Sequence, residues 1–164
     1  MKKIPLSQGK CALVDDDDFE KVNKYKWSAC LKRKTKNELW VAVRSVKDDN
    51  IKGGRKIIVM HREIMRFPNE QIDHLNNNSL DNRKENLRLV NATQNGANKR
   101  AQSNNAVGYR GVWYDKVLKK YRANIKPENK TMHLGCFKTA KEAAVVWNSK
   151  AVEIWGEYAF QNKI

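Results

Sequence analysis

The clearest alternation of apolar and polar positions lies late in the chain. Tyr121, Ala123 and Ile125 share one face of a predicted strand, and Arg122, Asn124 and Lys126 share the other. Strands are also predicted at Tyr109–Tyr114 and Met132–Phe137, with turns at 115–119 and 127–130. A helix follows. Thr139 and Glu142 have the spacing of a capping box, and Ala143, Trp147, Ala151 and Ile154 form one helical stripe up to Gly156. The C-terminal third therefore reads as three antiparallel strands with one helix across one face. Residues 101–107 are small and polar and read as a linker.

Earlier segments are shorter. Strands are predicted at Lys10–Val14, Trp27–Leu31, Leu39–Arg44 and Lys56–Met60, joined by a Lys-rich turn at 32–36 and a loop around Gly53-Gly54. Asp15-Asp16-Asp17-Asp18 opens a helix running through Phe19, Val22 and Tyr25, because acidic residues complement a helix N-terminus. The contiguous carboxylates lack the alternation of a calcium loop. His61–Phe67 reads as a short helix stopped by Pro68. Gln71–His74 and Leu87–Val90 are strands around a polar loop, and Asn91 with Gln94 caps a helix to about Arg100. The class is α+β: a β-rich region over 1–60, a strand–loop–strand–helix unit over 61–100, the linker, and a sheet-and-helix module over 108–164.

Charge changes the picture. Thirty-three Lys and Arg stand against eighteen Asp and Glu, a net charge of +15 in 164 residues. Such a surplus points to a polyanion partner. The middle segment, 61–104, has seven basic and five acidic side chains and is the least basic, as expected where a metal supplies positive charge. The absence of a long apolar run argues against a membrane role, and no signal peptide is evident. Three scattered cysteines without Cys-x-x-Cys suit neither a disulfide framework nor a structural zinc site, so a cytoplasmic setting is expected.

That middle segment holds the candidate chemistry. Asp73 and His74 are adjacent at a strand end, so they project to opposite faces. Asp73 with Asn95 offers hard oxygen ligands to one divalent cation, Mg²⁺ in the first place and Mn²⁺ as the alternative. His74 is then placed to deprotonate water, and Asn86 to accept its ring N–H and so set the tautomer. His61 and Asn98 are supporting candidates. Arg62, Arg83, Lys99 and Arg100 are candidates for flanking phosphates.

Together, His61-Arg62, Asp73-His74, Leu80-Asp81-Asn82, Asn86-Leu87-Arg88-Leu89-Val90, Asn95 and Asn98 resemble the HNH endonucleases of phages and mobile introns. The resemblance covers about residues 61–100 and implies a ββα-metal fold. It implies one metal on Asp73 and Asn95, His74 as general base, Asn86 as its orienting partner, and products with 5′-phosphate and 3′-hydroxyl ends. Asn rather than His at the helix position matches the homing subgroup.

Tyr109-Arg110-Gly111-Val112, Tyr121-Arg122-Ala123-Asn124-Ile125, His133-Leu134-Gly135-Cys136-Phe137 and Thr139-Ala140-x-Glu142-Ala143-Ala144 resemble the plant ethylene-response-factor DNA-binding domain. The resemblance implies a sheet laid in the major groove, with Arg110, Trp113, Arg122, Asn124, Lys126, Lys130 and His133 facing DNA. Trp113 and His133 depart from that family's arginine and tryptophan, and Asp115 stands near another of its arginines, so base preference does not transfer. In the N-terminal region Lys32, Arg33, Lys34, Lys36 and Arg44 suit backbone contacts.

The expected function is a homing-type endonuclease acting on double-stranded DNA, as a monomer or a homodimer. The alternatives are a DNA-binding regulator with an inert nuclease remnant, and a relatively non-specific nuclease.

Overall fold

The computed structural model describes residues 1–33, 38–102 and 104–164. Lys34 and Lys36 of the basic turn, and Ser103 of the linker, lie outside the described residues. Contacts divide the chain into two compact units, Met1–Val90 and Asn91–Ile164.

In the first unit, β1 (Lys2–Pro5) pairs antiparallel with β2 (Cys11–Val14). The sequence pattern missed β1, because Ile4 is its only buried residue and pairing alone defines it. Helix α1 (Asp16–Asn23) follows. Asp16, Asp17 and Asp18 sit in its first turn, as their charge favours. The side chain of Asp15 makes no capping bond; it accepts the Lys84 N–H at 2.8 Å.

β3 (Ser28–Arg33), β4 (Leu39–Lys47) and β5 (Arg55–Val59) form an antiparallel sheet in that order. Helix α2 (Met60–Ile64) ends before the expected Phe67. Arg66 and Phe67 have φ of 58° and 55°, a left-handed break ahead of Pro68. β6 (Gln71–His74) then pairs with β7 (Leu87–Val90), over the expected residues.

One core joins these pieces. Ile4, Val14, Val22, Trp27, Ile58, Met60, Ile64 and Leu87 are buried together, so the N-terminal hairpin, α1, the sheet, α2 and β7 share it. Burying side chains of this size contributes roughly 1.5–3 kcal/mol each before entropy is subtracted.

In the second unit, Asn91 and Gln94 form the expected capping box of α3 (Ala92–Ala97). The helix stops three residues short of Arg100, with Asn98 as its C-cap. β8 (Val112–Asp115), β9 (Lys120–Ile125) and β10 (Met132–Phe137) form an antiparallel sheet with β9 in the centre. Helix α4 (Ala140–Trp155) crosses one face, capped by Thr139 and Glu142 and ended by Gly156. Val112, Ala123 and Ile125 meet Ala143, Ala144, Trp147 and Ala151 there.

β8 begins at Val112, not Tyr109, because Gly111 breaks the strand with φ of 74°. A Cβ at Gly111 would lie 2.0 Å from Trp147 Nε1 and 2.6 Å from the Asn124 carbonyl oxygen. Only glycine fits this crossing of backbone and indole.

Candidate functional site

β6 delivers Asp73 and His74 side by side, both largely buried. Strand register places Arg88 of β7 directly across from Asp73. Its guanidinium donates twice to Asp73 Oδ2, from Nε at 3.1 Å and Nη2 at 2.9 Å. The pair is mostly shielded, with side-chain exposures of 13% and 11%. Arg88 thus balances the carboxylate and fixes its rotamer.

His74 is held differently. Burial pushes its imidazole below the ordinary histidine range. The Asn82 carboxamide and the carboxylates of Asp73 and Asp81 act in the opposite direction. The net result is a neutral ring at pH 7, the state a general base requires. His61, near the start of α2, meets the same ring edge to face, with centroids 5.0 Å apart and planes 77° apart. Burial, followed by the charges of His74 and Arg62, lowers the His61 pKa to about 4.

Asn86 was expected to accept the His74 ring N–H. Its carboxamide bonds within the loop: Oδ1 accepts the Asn76 N–H at 2.9 Å and Nδ2 donates to the Asp81 carbonyl at 2.8 Å. The reason is local. Asn86 lies at the end of a short 3-10 turn (Lys84–Asn86) that folds back under the loop, and its side chain reaches that loop's backbone first. Asn82, which is 1% exposed, also bears on the imidazole and opposes the effect of burial.

The loop from 75 to 86 is anchored on the N-terminal hairpin. Leu13 donates to the Leu80 carbonyl and Asn82 donates to the Leu13 carbonyl, both at 2.8 Å. Lys84 binds Asp18 at 2.8 Å, and Ser79 Oγ donates to the Trp40 carbonyl. Asp81 is buried, and Arg83 grips its two oxygens at 2.8 Å each. That grip lowers the Asp81 pKa and, with Glu85 as a second partner, holds Arg83 within the loop.

The remaining candidates take varied places. Arg62 donates to the carbonyls of Pro68 and Glu70. Asn95 is half-buried on α3 and Asn98 is buried at its end, both in the second unit. Lys99 and Arg100 are exposed. Arg110 is turned into the second unit: its guanidinium donates to the carbonyls of Gly96, Ala97 and Lys99. It also lies 5.1 Å from the Trp147 ring. Burial lowers its pKa to about 10, so it remains charged at neutral pH.

Trp113, Arg122, Asn124 and His133 lie together on β8, β9 and β10. Arg122 is bracketed by Asp115 at 3.1 Å and the Trp113 ring at 5.9 Å. Asn124 Oδ1 lies 2.8 Å from His133 Nδ1. Lys126 and Lys130 flank the following turn and are exposed.

Donor chemistry tests whether a divalent ion fits. A carboxylate oxygen and a carboxamide oxygen suit Mg²⁺ or Mn²⁺, whose remaining positions go to phosphate and water. Among the described residues, no group of three His, Cys, Asp or Glu side chains is placed to hold a metal. No helix among the described residues is long and apolar enough to cross a membrane.

Comparison with known proteins finds two likenesses. Residues 66–97 match the HNH endonuclease family model. The matched stretch takes in β6, β7 and α3. It is also 34% identical, over 93 residues, to an uncharacterized HNH endonuclease of Acanthamoeba polyphaga mimivirus. That match takes in 57% of this chain and 47% of the relative, so the chain spans about half the relative's length. No solved structure matches the chain.

Proposed function

We propose that the protein is a site-directed, homing-type DNA endonuclease that hydrolyses phosphodiester bonds with His74 as general base. The observation that carries this reading is the buried Asp73–His74 pair, inside the matched HNH segment, with Arg88 on the carboxylate and Asn82 on the imidazole. His74 is neutral and can take a proton from the attacking water. Asn82 and His61 limit how its ring can turn. Asn86 orders the loop that presents Asn82. Asp73 and Asn95 would hold the divalent ion, which when bound supplies Lewis-acid stabilisation of charge on the phosphate and the departing oxygen.

The second unit supplies register. The three-stranded sheet bears Trp113, Arg122, Asn124 and His133, and a sheet of this size fits the major groove, where Arg and Asn can each make paired contacts to a base. Cutting and reading would then belong to different parts of the chain.

Incubation with phage or host genomic DNA and Mg²⁺, beside His74→Ala, tests the proposal. Discrete fragments that vanish in the variant are expected. Smearing would replace it with a non-specific nuclease, and retention on DNA without cleavage would leave a DNA-binding regulator.

A further inference from the structure

The turn joining β8 to β9 has an unusual surface. Val117 is 90% exposed and Leu118 is 51% exposed, at the tip of a short hairpin. Lys116, Lys119 and Lys120 flank them, all exposed. The tip is not loose. Asp115 Oδ1 accepts the N–H of Val117 at 2.9 Å and of Leu118 at 3.0 Å, and its other oxygen holds Arg122. Lys119 takes a left-handed φ of 51°, which closes the turn. The sole carboxylate of the turn is therefore tied down beneath it, and the outward surface is two aliphatic side chains among three ammonium groups.

Folding does not need those aliphatic groups there. Neither belongs to the buried clusters of the second unit, and a polar turn would close equally well. Apolar side chains ringed by lysines match one surface well: a duplex step, with phosphates on either side and an apolar base stack between them. Proteins that kink DNA push aliphatic side chains into such steps and pay a few kcal/mol of unstacking for the bend.

We propose that the 115–120 turn is a wedge whose Val117 and Leu118 enter the base stack of duplex DNA while Lys116, Lys119 and Lys120 hold the adjoining phosphates. This rests on the DNA-binding reading given above and adds a distortion of the duplex to it. A wedge would also give selectivity without base contacts, by favouring easily unstacked pyrimidine–purine steps.

Closed-circular plasmid DNA relaxed by a metal-independent topoisomerase in EDTA is a suitable probe, since no cleavage can occur and no target site is needed. The protein and its Val117→Ser/Leu118→Ser variant are each bound to the plasmid during relaxation. Retention of the same plasmid is measured in parallel, and thermal midpoints verify that the variant is folded. The wild type is expected to shift the topoisomer distribution in proportion to the amount bound. The variant should still retain plasmid, within a severalfold loss, and lose most of the shift. Binding by the wild type without a shift overturns the wedge alone, as does an undiminished shift in the variant. Failure to retain plasmid at low salt overturns both the wedge and the DNA-binding reading. Sedimentation with phosphatidylserine vesicles that the variant loses, with topoisomers unchanged, would assign the tip to a membrane surface and overturn the wedge.

Discussion

His61 and His74 meet edge to face, 5.0 Å between ring centroids, although they lie thirteen positions apart on two successive elements, α2 and β6. Neither ring can be protonated cheaply: His74 is buried, and His61, partly buried, would also meet any charge on His74. This contact links the α2 start to the β6 end and gives the first unit a specific acid sensitivity.

For His61 the direction follows from its pKa, 6.5 when unfolded and about 4 when folded. As pH falls below 6.5 the unfolded chain takes up the proton first. The stability present above 6.5 is therefore lost progressively toward pH 4, by up to about 3 kcal/mol. Urea midpoints at pH 7 and pH 4.5, for wild type and His61→Phe, measure it. The wild type should lose more than the variant, and equal losses would contradict the assignment.

Cleavage should follow His74 in the same sense. Its lowered pKa places the acid limb of the pH–rate profile below the ordinary histidine value. His74→Ala should reduce the rate by at least roughly 10²-fold without weakening DNA retention. A limb at or above the ordinary value would show that the ring in action is not the buried neutral one.

Arg88→Ala should leave the Asp73 carboxylate buried without its cation. Removing one partner of a shielded pair costs roughly 3 kcal/mol, whereas Asp73→Ala/Arg88→Ala together should cost less than the two single changes summed. Chemical denaturation of the four proteins completes the cycle. Additive losses would mean that the 2.9 Å contact contributes little.

Gly111→Ala should be among the most damaging single changes in the second unit. It adds a methyl group within 2.0 Å of the Trp147 indole at a φ of 74°. Strain and overpacking together predict a loss of about 3 kcal/mol or more, read as a lowered thermal midpoint. Gly108→Ala is the control: its φ is also positive but no atom lies within 4 Å, so its cost should be smaller.

Arg122→Ala and Lys126→Ala should separate base reading from phosphate contact. The first should cost about 1–3 kcal/mol and relax sequence preference. The second should weaken binding uniformly and reduce the salt slope by about one. Binding isotherms across a salt series on DNA carrying the mapped cleavage site test both. Identical effects would contradict a reading role for the sheet.

The sequence by itself determined the elements whose signals are local. β6, β7 and β10 have the bounds that their apolar runs imply. Both predicted capping boxes close, because Asn91 and Thr139 each need only a partner three residues on. The segment that matches the HNH family model was legible for the same reason.

Tertiary structure decided what depends on partners distant in the chain. β1 exists because β2 pairs with it. Arg88 faces Asp73 through strand register, and Asn86, at the end of a 3-10 turn, bonds to the loop backbone. Arg110 turns into the second unit to bind three carbonyls and to lie against Trp147. Residue types and spacing set which groups are available. Which of them meet depends on packing and register, since side chains adjacent in the chain can face opposite ways while distant ones share a buried contact.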